Sequence, residues 1–268
     1  MPEGGKLPFR HFFMWEKRDS DAQHAVRGWN LGYLHKIDKF TRYDFLQQAE
    51  YGSTAENGWG DWMEEESIYG GFRPALEYVT EDLGRKIQAY RQQILEKTGS
   101  DPISYYSHRI KSEESMREKC RRKGLPETAE SALREITDAV GVRIICSFID
   151  DVYTNAQAIH TLPGCRIVNE KDYIRRAKPN GYRSYHMILD LEAPFADVSG
   201  NCPGHFFAEV QIRTIAMDSW ANLEHQLKYK KSIRNQALIV EELKRCADEM
   251  ASTDVSMQTI RDLIREEE

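Results

Sequence analysis

Phe206-Phe207-Ala208-Glu209-Val210-Gln211-Ile212-Arg213-Thr214 is the stretch whose reading decides the fold class. Strand alternation puts Ala208, Val210 and Ile212 on one face and Glu209, Gln211 and Arg213 on the other. The apolar face asks for helices to cover it. The other face is wholly polar and is not buried without partners, so it looks either to solvent or to a ligand. Two more runs, Val142 to Phe148 and Tyr185 to Leu191, are rich in β-branched and apolar residues and read as strands. Helical periods surround them. Leu76, Val79, Leu83, Ile87, Tyr90 and Ile94 recur at threes and fours from Phe72 to about Lys97, and Thr98-Gly99-Ser100-Asp101-Pro102 ends that helix. A second helix is expected from Ser112 to Lys123, stopping at Gly124, and a third from the N-cap Thr128 to about Ala139. Further helices are expected over Val152 to Leu162, Thr214 to about Lys231, and, as a pair, about Asn235 to Glu266. One compact β region flanked by helices predicts an α/β or α+β fold.

The 268 residues suffice for one large domain with an appendage. Residues 1–71 differ from the rest. They hold Phe9, Phe12, Phe13, Trp15 and Trp29 without a sustained period, then a glycine-rich acidic stretch from Gly52 to Gly71. They are read as an N-terminal extension without an assigned role, and residues 72–268 as the main domain. A net charge of −6 provides no bulk cationic field for nonspecific nucleic-acid binding, so charge has to be read locally. Apolar runs such as Val140 to Cys146 are too short to span a bilayer and are broken by Arg143. The N-terminus lacks a secretory pattern. The five cysteines form no C-x-x-C pair, which fits free thiols in a cytoplasmic protein that has no membrane contact.

Lys111, Ser115, Lys119 and Arg122 follow one another at four, four and three residues, a spacing that lines one helix face, with Arg109 just ahead. Such a row of cations faces either solvent, paired with Glu113, Glu114 and Glu118, or an anion. Asp138 sits just before a strand and Glu209 inside another. Two such carboxylates could hold Mg²⁺ across phosphates and draw a proton from an attacking hydroxyl, with Arg143 and Arg213 as phosphate or base contacts, or they are ordinary helix-end and surface residues. Asp172 to His186 is the densest polar and aromatic stretch. Asn180-Gly181 allows a tight turn, Lys178, Arg183 and His186 are phosphate donors, and Tyr182 offers a flat surface to a base. A plain hairpin turn would explain the glycine but not so many cations. After Thr214, Trp220, Leu223 and Leu227 form an apolar seam, Glu224 and Lys228 an i,i+4 pair, and Asp218 stands in the first turn, within reach of the ligand of Tyr182.

Taken in order, Arg109-x-Lys111 with the basic helix, Asp138-x-x-Gly141-x-Arg143, Asp172-Tyr173-Ile174 with Lys178 and Asn180 to His186, Glu209-x-Gln211-x-Arg213-Thr214 and Trp220-Ala221-x-x-Glu224-His225 resemble the RelA/SpoT synthetase domain. The likeness is greatest to the small, single-domain alarmone synthetases and covers about residues 72 to 265. It implies a nucleotidyltransferase-like fold, a mixed five-stranded sheet with helices packed around it. It also implies an enzyme that uses Mg²⁺ and ATP to pyrophosphorylate the 3′-hydroxyl of GDP or GTP, forming ppGpp or pppGpp and AMP. In that family's terms Asp138 and Glu209 hold Mg²⁺, and Glu209 activates the acceptor hydroxyl. Arg109 and Arg143 sandwich adenine, and Lys111, Ser115, Lys119 and Arg122 hold the ATP phosphates. Tyr182 stacks on guanine, Lys171, Lys178 and His186 surround the acceptor phosphates, and Asp218 stands where some relatives have an asparagine that contacts guanine. No His-Asp motif of the family's hydrolase domain occurs, so synthesis alone is expected. The C-terminal helices, with Leu243, Cys246, Met250, Met257, Ile260 and Ile264, resemble the segment through which small synthetases form tetramers. An alarmone or RNA effector is compatible with the likeness. Toxic relatives that modify tRNA 3′ ends or adenine nucleotides, and a noncatalytic regulator, are the alternatives.

Overall fold

The computed structural model describes residues 67–228 and 235–267. Five strands, β1 (Tyr105–Ile110), β2 (Val140–Cys146), β3 (Cys165–Asp172), β4 (Tyr185–Ala193) and β5 (Gly204–Thr214), form one mixed sheet in the order β1-β2-β5-β4-β3. Strands β2 and β5 run parallel, and the other neighbours antiparallel. The helices are α1 (Arg73–Thr98), α2 (Glu113–Lys123), α3 (Ile149–His160), α4 (Ile215–Lys228) and α5 (Gln236–Glu266). The α/β architecture with a mixed five-stranded sheet is the one expected.

The alternation in β5 carries through its neighbours. Val142 and Ile144 of β2, Met187 and Leu189 of β4, and Val210 and Ile212 of β5 are all buried and share one core with Leu76, Val79, Leu83 and Ile87 of α1 and Val152, Ala156 and Ile159 of α3. Each fully buried side chain of this kind contributes roughly 1.5–3 kcal/mol. Gly84 lies mid-helix in α1, where glycine normally costs about 1 kcal/mol. A Cβ there would come within 3.1 Å of the Tyr106 hydroxyl, so the glycine lets α1 lie close against β1. Ile68 and Tyr69 are buried in the same core, so packing begins ahead of Phe72. Residues 1–66 of the expected N-terminal extension lie outside the described residues.

Helix ends follow local chemistry. The Ser112 side chain accepts from the Ser115 N–H at the start of α2, and Gly124 closes the helix in the left-handed conformation (φ 69°). Three expectations need correction. The helix after Thr128 ends in a π-turn at Ser131–Glu135, and Ile136 is already extended, so Asp138 lies in the non-helical segment that leads into β2. The C-terminal pair is one continuous helix of 31 residues. Strands β1 and β3 were not anticipated as elements. They are the two sheet edges, and half or more of their residues are exposed, which leaves no readable alternation. Among the described residues no helix is long and apolar enough to cross a membrane, and all five cysteines are free thiols.

Candidate active site

One row of the polar face expected for β5 is continuous across the sheet from β2 to β3. Arg143 pairs in register with Gln211, Gln211 with His186, and His186 with Lys171. Directly opposed residues share a face, so one row runs from Arg143 on β2 to Lys171 on β3. The adjacent row holds Arg109, Gly141 and Glu209. Register alone therefore brings Arg109, Arg143, Glu209, His186 and Lys171 to one side of the sheet.

Asp138 stands at the foot of that side. Its Oδ2 accepts from both the Lys111 and the Lys119 ammonium groups. Its Oδ1 is buried without a hydrogen-bond partner, and a buried bare carboxylate oxygen is costly unless a cation meets it. Lys111 itself lies between β1 and α2 rather than on the helix, a correction to the row of four. It still converges with Lys119 because its carbonyl is held by the buried Tyr69 hydroxyl at 2.7 Å. Burial lowers the Lys111 ammonium below its ordinary value, against the pull of Asp138. Ser115 lies in the first turn of α2 and accepts from the Ser112 hydroxyl at 2.9 Å. Arg122 is exposed in the last turn.

Glu209 is half-buried. Burial raises its carboxyl, but hydrogen bonds from His186 and Gln211 and the charge of Lys119 outweigh that and hold it at about 2. A directed chain leads into it. Arg213 donates to the Tyr182 hydroxyl (2.7 Å), which lies 2.8 Å from His186 Nε2, and His186 Nδ1 lies 3.1 Å from Glu209 Oε1. Gln211 Nε2 donates to Glu209 Oε2 at 2.8 Å.

The turn at Asn180-Gly181 forms as expected: the Gly181 N–H donates to the Lys178 carbonyl at 2.8 Å, and Gly181 has φ +90°. Lys178 Nζ lies 4.6 Å from the ring centroids of both Tyr173 and Tyr182. The Tyr182 ring also meets Tyr173, His186 and Trp220 edge-on. Asn180 does not face this centre but donates to Glu224 on α4.

Four sequence readings change here. Arg213 is a brace rather than a ligand contact: it is 5% exposed and donates to Ser184, Tyr182, Gln211 and Asp218. Asp218 is already engaged, its Oδ1 by Arg213 (2.9 Å) and Arg143 (3.6 Å) and its Oδ2 by Asn222 (2.9 Å). It thus links Arg143, expected on the adenine side, to Arg213 under Tyr182. Arg183 joins α5 instead of the cation cluster. Leu223 and Leu227 are exposed, and Trp220 alone of the α4 seam is buried. Tyr173 and Tyr69 had no assigned role. Tyr173 stood inside the recognised motif and was legible as an aromatic partner, whereas no sequence signal links Tyr69 to Lys111.

Residues 108–234 match the family model described as "Region found in RelA / SpoT proteins". GTP pyrophosphokinase YwaC of Bacillus subtilis (strain 168) is 37% identical over 201 residues, 75% of this chain and 90% of the relative. The crystal structure of small alarmone synthetase 1 from Bacillus subtilis bound to its product pppGpp superposes with a TM-score of 0.63 at 32% identity, covering 72% of this chain and 95% of that one. The same synthetase bound to AMPCPP gives 0.59 at 29% identity, covering 73% and 96%. With identity of this extent over nearly the whole of its relative, the chain belongs to the RelA/SpoT family, among its small alarmone synthetases.

Proposed function

We propose that the protein transfers a pyrophosphoryl group from ATP to the 3′-hydroxyl of GDP or GTP, making ppGpp or pppGpp and releasing AMP. The observation that carries the proposal is the polar face of the sheet, on which Arg143 and Arg109 stand on strands to one side of Glu209 and His186 and Lys171 on strands to the other. Two nucleotides laid along that face would meet at Glu209.

On this reading Arg109 and Arg143 hold the adenine, and Lys111, Ser115, Lys119 and Arg122 the ATP phosphates. The two lysines would exchange Asp138 for phosphate oxygens. Tyr182 stacks on guanine, with Lys178, Lys171 and His186 around the acceptor phosphates. Lys178 has to leave one ring face of Tyr182 for the base to stack there. Because Asp218 is engaged with two arginines, its part is to hold Arg143 and Arg213 at fixed separation, and any contact with guanine is secondary. AMPCPP and pppGpp, named with the relative's structures, are the donor and product types this arrangement requires.

The donor set suits Mg²⁺. Asp138 supplies an unpartnered buried oxygen and Glu209 a carboxylate that is ionised across the neutral range, and hard oxygen ligands are what that ion takes. When bound, Mg²⁺ neutralises charge on the polyphosphate. The acceptor 3′-oxygen attacks the β-phosphorus of ATP, the bond from that phosphorus to the α,β-bridging oxygen breaks, and the oxygen leaves with AMP. Glu209 takes the hydroxyl proton. Against burial, His186, Gln211 and Lys119 hold Glu209 in its ionised form, so it is able to take that proton. The remaining catalysis is positioning and cationic charge.

Incubation with ATP labelled in its γ-phosphate and, separately, GDP, GTP, ADP or deacylated tRNA tests the proposal. Label on GDP or GTP is expected. Label on tRNA or ADP, with none on guanine nucleotides, would make the chain a family member of the toxic kind.

The reading extends to assembly as a homotetramer through α5. Val255, Met257, Ile260, Leu263 and Ile264 each expose more than half of their surface within its last three turns, an apolar load that a monomer rarely leaves to water.

A further inference from the structure

We infer that Arg183 positions the acceptor platform by clamping its loop to α5, so that this helix sets the affinity for the guanine nucleotide. The inference rests on the reading of Tyr182 as that platform. Arg183 Nη1 donates to the carbonyl oxygens of Gly181 and Ala247, each at 3.2 Å, and Nη2 donates to Asp248 Oδ1 at 3.0 Å. One guanidinium thereby ties the loop backbone to the helix backbone, and the planar fork suits this better than an ammonium would. The side chain is 20% exposed, so the bonds are partly shielded from water.

The fit of loop to helix is close. A Cβ on Gly181 would fall 2.5 Å from the Ala247 Cβ and 3.4 Å from the Lys244 Cα, and the glycine has φ +90°. Any side chain there would meet both a strained backbone and the helix. On the other flank Tyr182 packs, alongside Leu243 and Met250, against the buried cluster of Trp220, Ala221 and Ala247, and Trp220 Nε1 donates to the Leu243 carbonyl at 2.7 Å. The tyrosine is therefore seated on α5 from both sides, by the Arg183 clamp and by the Trp220 contact. Its hydroxyl is then aimed at His186 and Arg213. Asp248, Ala247 and Lys244 are not among the residues read as touching either nucleotide. Neither Arg109 on β1 nor Lys119 on α2 takes part in the contacts that seat Tyr182 on α5.

The test is the equilibrium affinity of the full chain for GDP and, separately, for AMPCPP, measured by calorimetry. R183A should weaken GDP binding about tenfold and leave AMPCPP binding unchanged. D248A, which removes the helix end of the clamp together with the exposed Lys244–Asp248 pair (3.1 Å), should weaken GDP binding about two- to fivefold, and K244A, which removes that pair alone, should leave it unchanged. The double variant should bind GDP no more weakly than R183A, because Asp248 acts through Arg183. If R183A does not fold, D248A carries the test alone. Wild-type GDP affinity in D248A would overturn the inference, including the case in which R183A alone weakens GDP binding, as a direct phosphate contact would. Equal loss of GDP and AMPCPP affinity would also overturn it. A wild-type chain that binds no guanine nucleotide would sink both this inference and the acceptor reading.

Discussion

His186 and Gln211 each meet a different oxygen of Glu209, at 3.1 and 2.8 Å, and both neighbours are fixed by the same sheet. The carboxylate is thus oriented before any nucleotide arrives, and its remaining lone pairs are directed rather than free to rotate. Glu209→Gln keeps the shape and removes the charge. Transfer should fall by at least about a hundredfold, with the far-ultraviolet dichroism and melting behaviour of a folded protein; residual activity near that of the wild type would take Glu209 out of the reaction. Tyr182→Ala removes the stacking surface and should raise KM for the guanine nucleotide about tenfold, with KM for ATP little changed. Steady-state kinetics with each substrate varied in turn checks the split. Much of this site was legible in the sequence because Glu209, Lys178 and Tyr182 lie in short motifs of unusual polarity. Arg213 was not legible as a brace. Its identity suggests a ligand contact, and only the register that buries it beside Ser184 and Gln211 shows that its donors are already used.

At the scale of elements, β5 announced itself because it is central: apolar neighbours cover one of its faces and the site occupies the other, so its alternation is complete. The edge strands β1 and β3 meet no such demand, and their sequences, Tyr105–Ile110 and Cys165–Asp172, are mixed accordingly. The 31-residue α5 read as a helix pair because its two halves face different surroundings. Leu243, Cys246 and Met250 pack near Tyr182 and Trp220, whereas Met257, Ile260 and Ile264 are exposed. Between those halves Asp254 is buried and accepts from the Thr214 hydroxyl at 2.6 Å, and Thr214 in turn accepts from the Met217 N–H at the start of α4. Burial raises the Asp254 carboxyl above its ordinary value of 3.8, against the hydrogen bond from Thr214. A raised folded-state value means that full stability is present below about pH 3.8 and is lost as pH rises through the folded value. Asp254→Asn keeps the acceptor and cannot ionise. It should raise the melting temperature at pH 7 and match the wild type near pH 3; a lower melting temperature at pH 7 would show that the ionised form is the stabilising one.

For the whole molecule, the resemblance implied a five-stranded mixed sheet, and the structure has one; what lies along residues 1–66 is outside the described residues. The exposed apolar half of α5 belongs to this scale, because it has value only between chains. Light scattering should give a mass near four times 31.1 kDa, and Ile260→Glu with Leu263→Glu should reduce it. A monomer at every concentration tested would remove assembly from the account. The central claim is that one sheet face brings a donor and an acceptor nucleotide together at Glu209. Phosphorus NMR of the purified chain turning over ATP and GDP with Mg²⁺ tests that claim most directly. The account predicts AMP and a guanosine carrying pyrophosphate on its 3′-oxygen, formed mole for mole and absent with Glu209→Gln. ADP and free phosphate with the guanine nucleotide unchanged would contradict it.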